Sequence, residues 1–337
     1  MRVALDAFGS DLCPEIEIKA ANEAVKQGID VILVGDKKKL SGISSGVEVV
    51  QADEVITMDE SPANALRKKK NSSMRVAIDL VGAGKADAVV SAGNSGAMMA
   101  LSMFVLHKLP GVYRPAIVGV LPSYRGYTVF IDMGANVDCK PHYLLQFALM
   151  GSVYAKKLFN LSTPSVGLLS NGEEEGKGNE LTSLTNELLK KSSVNYRGYV
   201  EGKDIYMGDV DVIVADGFVG NTVLKASEGI AEMVTKILKD SFKASPLSIL
   251  GYLFSRGAFN RLKKRIDYAE YGGAPLIGVN GLAVITHGRS NEKAILNAIK
   301  LSKRFYDTKL NDAIIEEVNK NLTLENSANE KVYEEVK

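Results

Sequence analysis

The sequence is short of the residues that build disulfide frameworks and metal centres. Its two cysteines, Cys13 and Cys139, are too few for a disulfide scaffold or a four-thiolate zinc site. Its three histidines, His107, His142 and His287, share no short ligand spacing, so no metal is expected. An excess of one charge is also missing: 41 basic against 40 acidic residues leave +1, which removes the global electrostatic case for a nucleic-acid partner. No run approaches the roughly 18 apolar residues of a membrane span, and Asp6 stands where a signal peptide needs its apolar core. The expectation is a cytoplasmic protein. With 46% hydrophobic and 24% charged residues, and 31 glycines spread along 337 positions, disorder and helical repeat arrays fit poorly.

What the chain does have is alternation. Short apolar, β-branched runs at 2–7, 31–34, 47–51, 88–92, 116–121, 128–133, 165–169, 210–215 and 282–286 are separated by helical patterns. That order predicts an α/β protein, with parallel strands covered on both faces by helices in a three-layer α/β/α sandwich. Pro14, the spacing Ile16, Ala20, Ala21, Ala24 and the stop at Gly28 mark a first helix. Residues 161–164 offer a joint between two halves. Residues 312–337 hold seven acidic against three basic residues and lose apolar periodicity after Leu324. They read as a fraying acidic tail behind a single α/β unit spanning 1–311.

In open α/β sheets, ligands sit beyond the carboxyl ends of strands, where glycine-rich loops enter helix N-termini. Four junctions have that form: 91–96, 170–179, 216–221 and 286–291. A fifth strand end, 132–138, adds carboxylates and an amide. Standard fingerprints are absent: no G-x-G-x-x-G follows a strand, 172–177 lacks the spacing of a P-loop, and Ser95 lacks a nucleophile elbow.

Six blocks are more specific. They are Leu5-Asp-Ala-Phe-Gly-Ser-Asp11, Val90-Ser-Ala-Gly-Asn-Ser-Gly-Ala97, Asp132-Met-Gly-Ala-Asn-Val-Asp-Cys-Lys-Pro141, Gly172-Glu-Glu-Glu-Gly-Lys-Gly-Asn-Glu180, Asp216-Gly-Phe-Val-Gly-Asn221 and Gly272-Gly-Ala-Pro-Leu-Ile-Gly-Val-Asn-Gly281. In order and content they resemble the signature blocks of the bacterial phosphate acyltransferase family PlsX, from Met1 to about Phe305. The chain departs where the family more often has Met-Gly-Gly-Asp-His: here Leu12 follows Asp11, so no histidine in that loop is given a role.

The resemblance implies transfer of a long-chain acyl group from acyl carrier protein to inorganic phosphate, giving acyl phosphate for phospholipid synthesis, with no cofactor. It also implies a fold like that of isocitrate and isopropylmalate dehydrogenases and phosphotransacetylases, and a homodimer. Attack of phosphate on a thioester needs donors for the phosphate, for the carbonyl oxyanion and for the departing thiolate. Lys177, Asn179, Asn221 and His287 are the catalytic candidates. Asn94, Ser95, Asn136, Asp216 and Arg289 are the candidates for binding phosphate or substrate, Arg289 ranking before His287 for phosphate because its fork matches oxyanions.

Each choice has a plainer alternative. Lys177 beside Glu173, Glu174 and Glu175 also suits an exposed charged helix start; Asn94, Asn136 and Asn221 also suit turns and caps, as do Asp6, Asp132 and Asp216. Cys139 reads as a small buried hydrophobe rather than a nucleophile. Competing functions are a short-chain acyltransferase using coenzyme A, a pyridine-nucleotide dehydrogenase of the same fold, and a non-catalytic membrane scaffold.

Between Lys236 and Arg265 there are eight basic residues and one acidic, Asp240, around the apolar stretch 246–254. Leu250, Leu253 and Phe254 with Arg261, Lys263, Lys264 and Arg265 are expected to meet a membrane surface or the acidic carrier protein. The alternative is a helix pair buried in a dimer core.

Overall fold

The computed structural model describes the backbone of residues 1–266 and 272–335; the side chains of Asn260, 262–266 and 323–335 fall outside the description. The first half runs β1 (Arg2–Asp6), α1 (Glu15–Lys26), β2 (Asp30–Gly35), β3 (Glu48–Gln51), α2 (Pro62–Lys68), α3 (Ser73–Gly82), β4 (Ala88–Ser91) and α4 (Ser95–Val105). There follow β5 (Ala116–Ser123), β6 (Gly126–Ile131), α5 (Pro141–Phe159), β7 (Ser165–Leu169), α6 (Glu180–Lys190), β8 (Asn195–Val200), α7 (Asp204–Met207) and β9 (Val212–Val214). The chain ends with α8 (Gly217–Lys243), α9 (Pro246–Ile266), β10 (Ala274–Ile277), β11 (Leu282–Ile285), α10 (Glu292–Asp307) and α11 (Leu310–Glu335).

The eleven strands among the described residues form one sheet, in the order β3-β2-β1-β4-β11-β10-β5-β6-β9-β7-β8. Its two faces are read directly from strand alternation. Val3, Leu5, Val31, Leu33, Val129, Ile131, Val212 and Val214 point into a core shared with α1, α5, α10 and the start of α11. Ala4, Ile32, Val34, Phe130 and Ile213 point into a second core with α3, α4 and α7. Burial on both faces explains why these strands are continuous apolar runs. The sheet is therefore the middle of three layers.

Two strands have no clear signature in the sequence. In β8, an edge strand, Arg197 is exposed, and β10 is a four-residue insert containing Pro275. Yet β10 and the β5–β6 hairpin decide where function sits, because their pairings with β11 and with each other are antiparallel while the flanking pairings are parallel. The carboxyl ends of β1, β4 and β11 therefore point to one edge of the sheet, and those of β6, β7 and β9 to the other.

The ends of the chain differ from the expectation in one respect. The core does not stop at 311: α11 buries Leu310, Ile314 and Val318 against the α5 side of the sheet. Acidic residues in its first turns occupy the outer face, so charge counting alone hid an amphipathic helix. Residues 161–164 link α5 to β7 without interrupting the sheet.

Candidate active site

On the first edge, three loops interlock. Asp6, at the end of β1, is buried and accepts a 2.7 Å bond from the Ser91 hydroxyl and a 3.1 Å bond from the N–H of Phe8. Burial holds its carboxyl above the usual carboxylate range. A β-carbon on Gly9 would lie 2.7 Å from the Gly93 nitrogen, so only glycine lets the loops after β1 and β4 touch. The Asp11 N–H donates to the Gly288 carbonyl at 2.8 Å, bringing in the loop after β11.

Asn94 completes this edge as the N-cap of α4. Its Oδ1 accepts from Ala97 N–H at 2.9 Å, and its Nδ2 lies 2.9–3.2 Å from the carbonyls of Thr57, Met58 and Glu60. Its amide is committed to holding the loop before α2. Ser95, one residue on, is exposed. His287 Nδ1 accepts the Arg289 N–H at 3.1 Å, closing the turn into α10, and the Arg289 side chain is exposed beyond it.

The second edge centres on Asp132, fully buried after β6. Its Oδ1 accepts from the N–H groups of Ile117, Gly134 and Ala135 at 2.9, 3.2 and 3.0 Å, and its Oδ2 from Asn136 N–H and Nδ2 at 2.7 and 2.9 Å. Burial outweighs these donors and keeps the carboxyl above its ordinary range. Asn136 Nδ2 also reaches the Pro115 carbonyl at 2.8 Å. Asp216 caps α8 through Val219 N–H at 2.9 Å, and Gly217 N–H donates to the Asn136 carbonyl at 2.7 Å. The start of α8 is thereby fixed against the loop after β6, with exposed Asn221 beside Gly134, whose φ of 129° favours glycine.

One strand further along the same edge, the loop after β7 carries Lys177 and Asn179. Asn179 caps α6 in a reciprocal capping box with Thr182. Lys177 is exposed, its stem folded over Gly172. Cys139 lies behind this edge. Its thiol contacts the Asn136 carbonyl at 3.4 Å, and burial pushes its pKa up to about 12, which suits a packed thiol and not a nucleophile.

The candidates thus separate in two ways. Within one chain, Asn94, Ser95, His287 and Arg289 share one edge, while Asn136, Lys177, Asn179, Asp216 and Asn221 share the other. By hydrogen bonding, Asn94, Asn136, Asn179 and Asp216 are frame residues whose side chains hold loops and helix starts. Among the described residues, the side chains of Ser95, Lys177, Asn221 and Arg289 form no hydrogen bond or ion pair, and they are the ones free to meet a substrate. Each edge offers one such cation beside backbone N–H groups at helix starts, a combination suited to oxyanions.

Sequence reasoning passed over Glu17. It is buried beneath the loop after β1, its Oε1 accepts from Ser10 N–H at 3.3 Å, and its Oε2 has no hydrogen-bond partner among the described residues. A signal existed: Glu17 occupies the same helical face as Ala20, Ala21 and Ala24, where every other residue is apolar. No group of described residues has the composition of a metal site.

The basic segment forms a helical hairpin, α8 packing against α9. Tyr206, whose carbonyl accepts from Tyr124 N–H in the β5–β6 turn, meets Ser227 through its hydroxyl. That contact ties the middle of α8 to α7 and, through it, to the β5–β6 turn. Leu250, Leu253 and Phe254 are exposed on α9, Phe254 to 85%, as is Arg261. Lys263, Lys264 and Arg265 carry side chains outside the described residues. No described helix is long and apolar enough to cross a membrane.

Solved structures place the architecture. The EutD phosphotransacetylase from Staphylococcus aureus matches with a TM-score of 0.57 at 18% identity, over 90% of this chain and 94% of its own. At that identity the likeness defines a fold, the three-layer α/β class with a mostly parallel sheet. Sequence defines more. A phosphate acyltransferase of Geobacter sulfurreducens is 52% identical over 333 residues, 96% of each chain, and one of Pelobacter propionicus is 51% identical over 331 residues, 95% of each. The family described as fatty acid synthesis protein matches residues 1–313, and the chain belongs to it. It is an enzyme, an acyltransferase.

Proposed function

We propose that the protein transfers a long-chain fatty acyl group from the thioester of acyl carrier protein to inorganic phosphate, releasing acyl phosphate for phospholipid synthesis. The observation that carries this reading is identity of about half of all positions, along nearly the whole chain, with relatives named phosphate acyltransferase, in a family described as fatty acid synthesis protein. A phosphate oxygen attacks the thioester carbonyl carbon, the C–O bond forms, and the C–S bond breaks as the tetrahedral oxyanion collapses. The proton of hydrogen phosphate ends on the departing sulfur, so no covalent enzyme intermediate is needed.

In this reading the free donors do the chemistry and the frame residues aim them. Arg289 and Ser95 form the donor pair of one edge and Lys177 and Asn221 that of the other, and the pair on the reacting edge holds phosphate and the developing oxyanion. Asn94, Asn136, Asn179, Asp216 and His287 set the loops that present them. The reading includes a homodimer and reversible attachment of a cytoplasmic enzyme to a membrane through α9, supported by exposed Leu247, Leu250, Leu253 and Phe254 near Lys243, Arg256 and Arg261.

The test is incubation of the enzyme with long-chain acyl carrier protein thioester, with and without phosphate, followed by hydroxylamine trapping. Phosphate-dependent loss of thioester with a hydroxylamine-reactive product, indifferent to chelators, is the expected result. Turnover of acyl coenzyme A alone overturns the donor, and an unchanged thioester in both cases overturns the reaction.

A further inference from the structure

Two basic runs distant in sequence meet at one corner of the sheet. Lys37, Lys38 and Lys39 form a short 3₁₀ turn after β2, and Arg67, Lys68, Lys69 and Lys70 close α2 and the turn beyond it. A chain of side-chain bonds joins them: Lys37 N–H donates to Gln51 Oε1 at 3.0 Å, Gln51 Nε2 to Asp53 Oδ1 at 2.6 Å, and Asn71 Nδ2 to Asp53 Oδ2 at 2.6 Å. The N–H groups of Asp53 and Glu54 both donate to the Asn71 carbonyl, at 3.1 and 3.2 Å. The runs are held side by side by the frame and not by their own charges.

The acidic groups of this corner are already engaged. Asp36 accepts Lys38 N–H at 3.1 Å, Glu54 accepts Asn71 N–H at 3.1 Å, and Asp53 holds the two amides just named. Among the described residues, none of the seven cations is in an ion pair; Lys69 is half-buried and the others are exposed. The two runs and the residues that bridge them, 36–39, 51–54 and 67–71, hold seven cations and three carboxylates, an excess of +4. The corner borders the first edge, since the Lys39 ammonium lies 5.9 Å from the ring centre of Phe8, in the loop that carries Gly9 and Asp11.

We propose that this corner is the docking surface for a carboxylate-rich protein face, that of the thioester-bearing carrier; the inference rests on the donor reading above. Its chemistry separates it from the α8–α9 hairpin. The cations of α9 flank exposed Leu250, Leu253 and Phe254, whereas neither run at the corner carries an exposed large apolar side chain. A lipid surface rewards apolar insertion as well as charge. A dense field of ammonium and guanidinium groups in no ion pair, whose aromatic contact is Lys39 over the Phe8 ring, suits an acidic protein, which it steers and orients from about a Debye length, roughly 8–10 Å.

The test compares two donors on one enzyme. The charge-reversed variants K37E/K38E/K39E and R67E/K68E/K70E should raise KM for acyl carrier protein thioester by about tenfold or more and flatten its salt dependence, while kcat/KM for acyl coenzyme A stays within about twofold. The neutral K37Q/K38Q/K39Q should shift the same way by less, and K37R/K38R/K39R should match the parent. Unchanged carrier KM, or equal losses with both donors, overturns the proposal, as does lost binding to anionic phosphatidylglycerol vesicles with carrier KM intact. If the unmodified enzyme uses acyl coenzyme A alone, the donor reading fails and takes this partner with it; if it uses the carrier and the variants do too, the corner alone is wrong.

Discussion

Gly220, in the first turn of α8, lies so close to Asp132 that a β-carbon built on it would fall 1.8 Å from the Asp132 carbonyl oxygen. Gly217, one turn earlier, would place its β-carbon 2.9 Å from Asp132 Oδ2. The two glycines let a helix start rest on the loop whose carboxylate gathers five hydrogen bonds. Gly220→Ala cannot be absorbed by a side-chain rotation, because the obstacle is backbone. It should cost about 1–3 kcal/mol or more, read from urea midpoints, and lower turnover by displacing Asn221. A variant with parental stability and activity would show that α8 has more freedom than this packing allows.

The free cations give the second prediction. Of Lys177→Ala and Arg289→Ala, the one on the reacting edge should reduce turnover by at least about tenfold, the loss of one charge-assisted donor to an oxyanion, about 1.4 kcal/mol. Cys139→Ser should remain active. Because Lys177 and Arg289 lie on opposite edges, the pair also locates the chemistry: if only one variant is impaired, the reaction belongs to that edge, and near-normal kinetics in both removes the assignment.

Much of this was legible beforehand, for physical reasons. Strands buried on both faces, such as β1 and β4, show as continuous β-branched runs, and the glycine-rich junctions after them mark ligand-side loops. What sequence could not show was which loops share an edge. That depends on a hairpin turn at Tyr124 and Arg125 reversing β6, and on β10, whose Pro275 argues against a central strand. Nor could it separate frame from free side chains: Asn94 and Asn221 sit in similar glycine-rich motifs, yet one amide is fully bonded and the other is exposed. Glu17 was legible in principle, as the one acid on an apolar helical face.

The hairpin carries the third prediction. Leu253→Glu with Phe254→Glu should release the enzyme from anionic vesicles without unfolding it, since both side chains are exposed. Burying each in the interface contributes roughly 1.5–3 kcal/mol and each nearby cation about 1 kcal/mol, a reversible attachment that high salt weakens. A double variant that still co-sediments with vesicles but dissociates into monomers would assign these side chains to a dimer core.

Glu17 gives a prediction with a definite sign. Burial pushes its carboxyl from 4.5 up to about 7, and the nearby charge of Asp6 adds to the rise. Between those values the folded protein holds a proton that the unfolded chain has released. Its contribution to stability is therefore fully present below about pH 4.5 and is lost as pH rises towards 7, where the folded state must carry an unpaired buried charge at Oε2. A shift of that size corresponds to about 3 kcal/mol. Glu17→Gln removes the titration while keeping the shape, so the variant should be more stable than the parent by about 1–3 kcal/mol at pH 8, with the difference vanishing towards pH 4.5. Urea unfolding of both proteins across that range reads the difference directly, cancelling every other titrating group. Parallel pH curves would mean that Glu17 titrates alike in the folded and unfolded chains, and that its orphaned oxygen has found water.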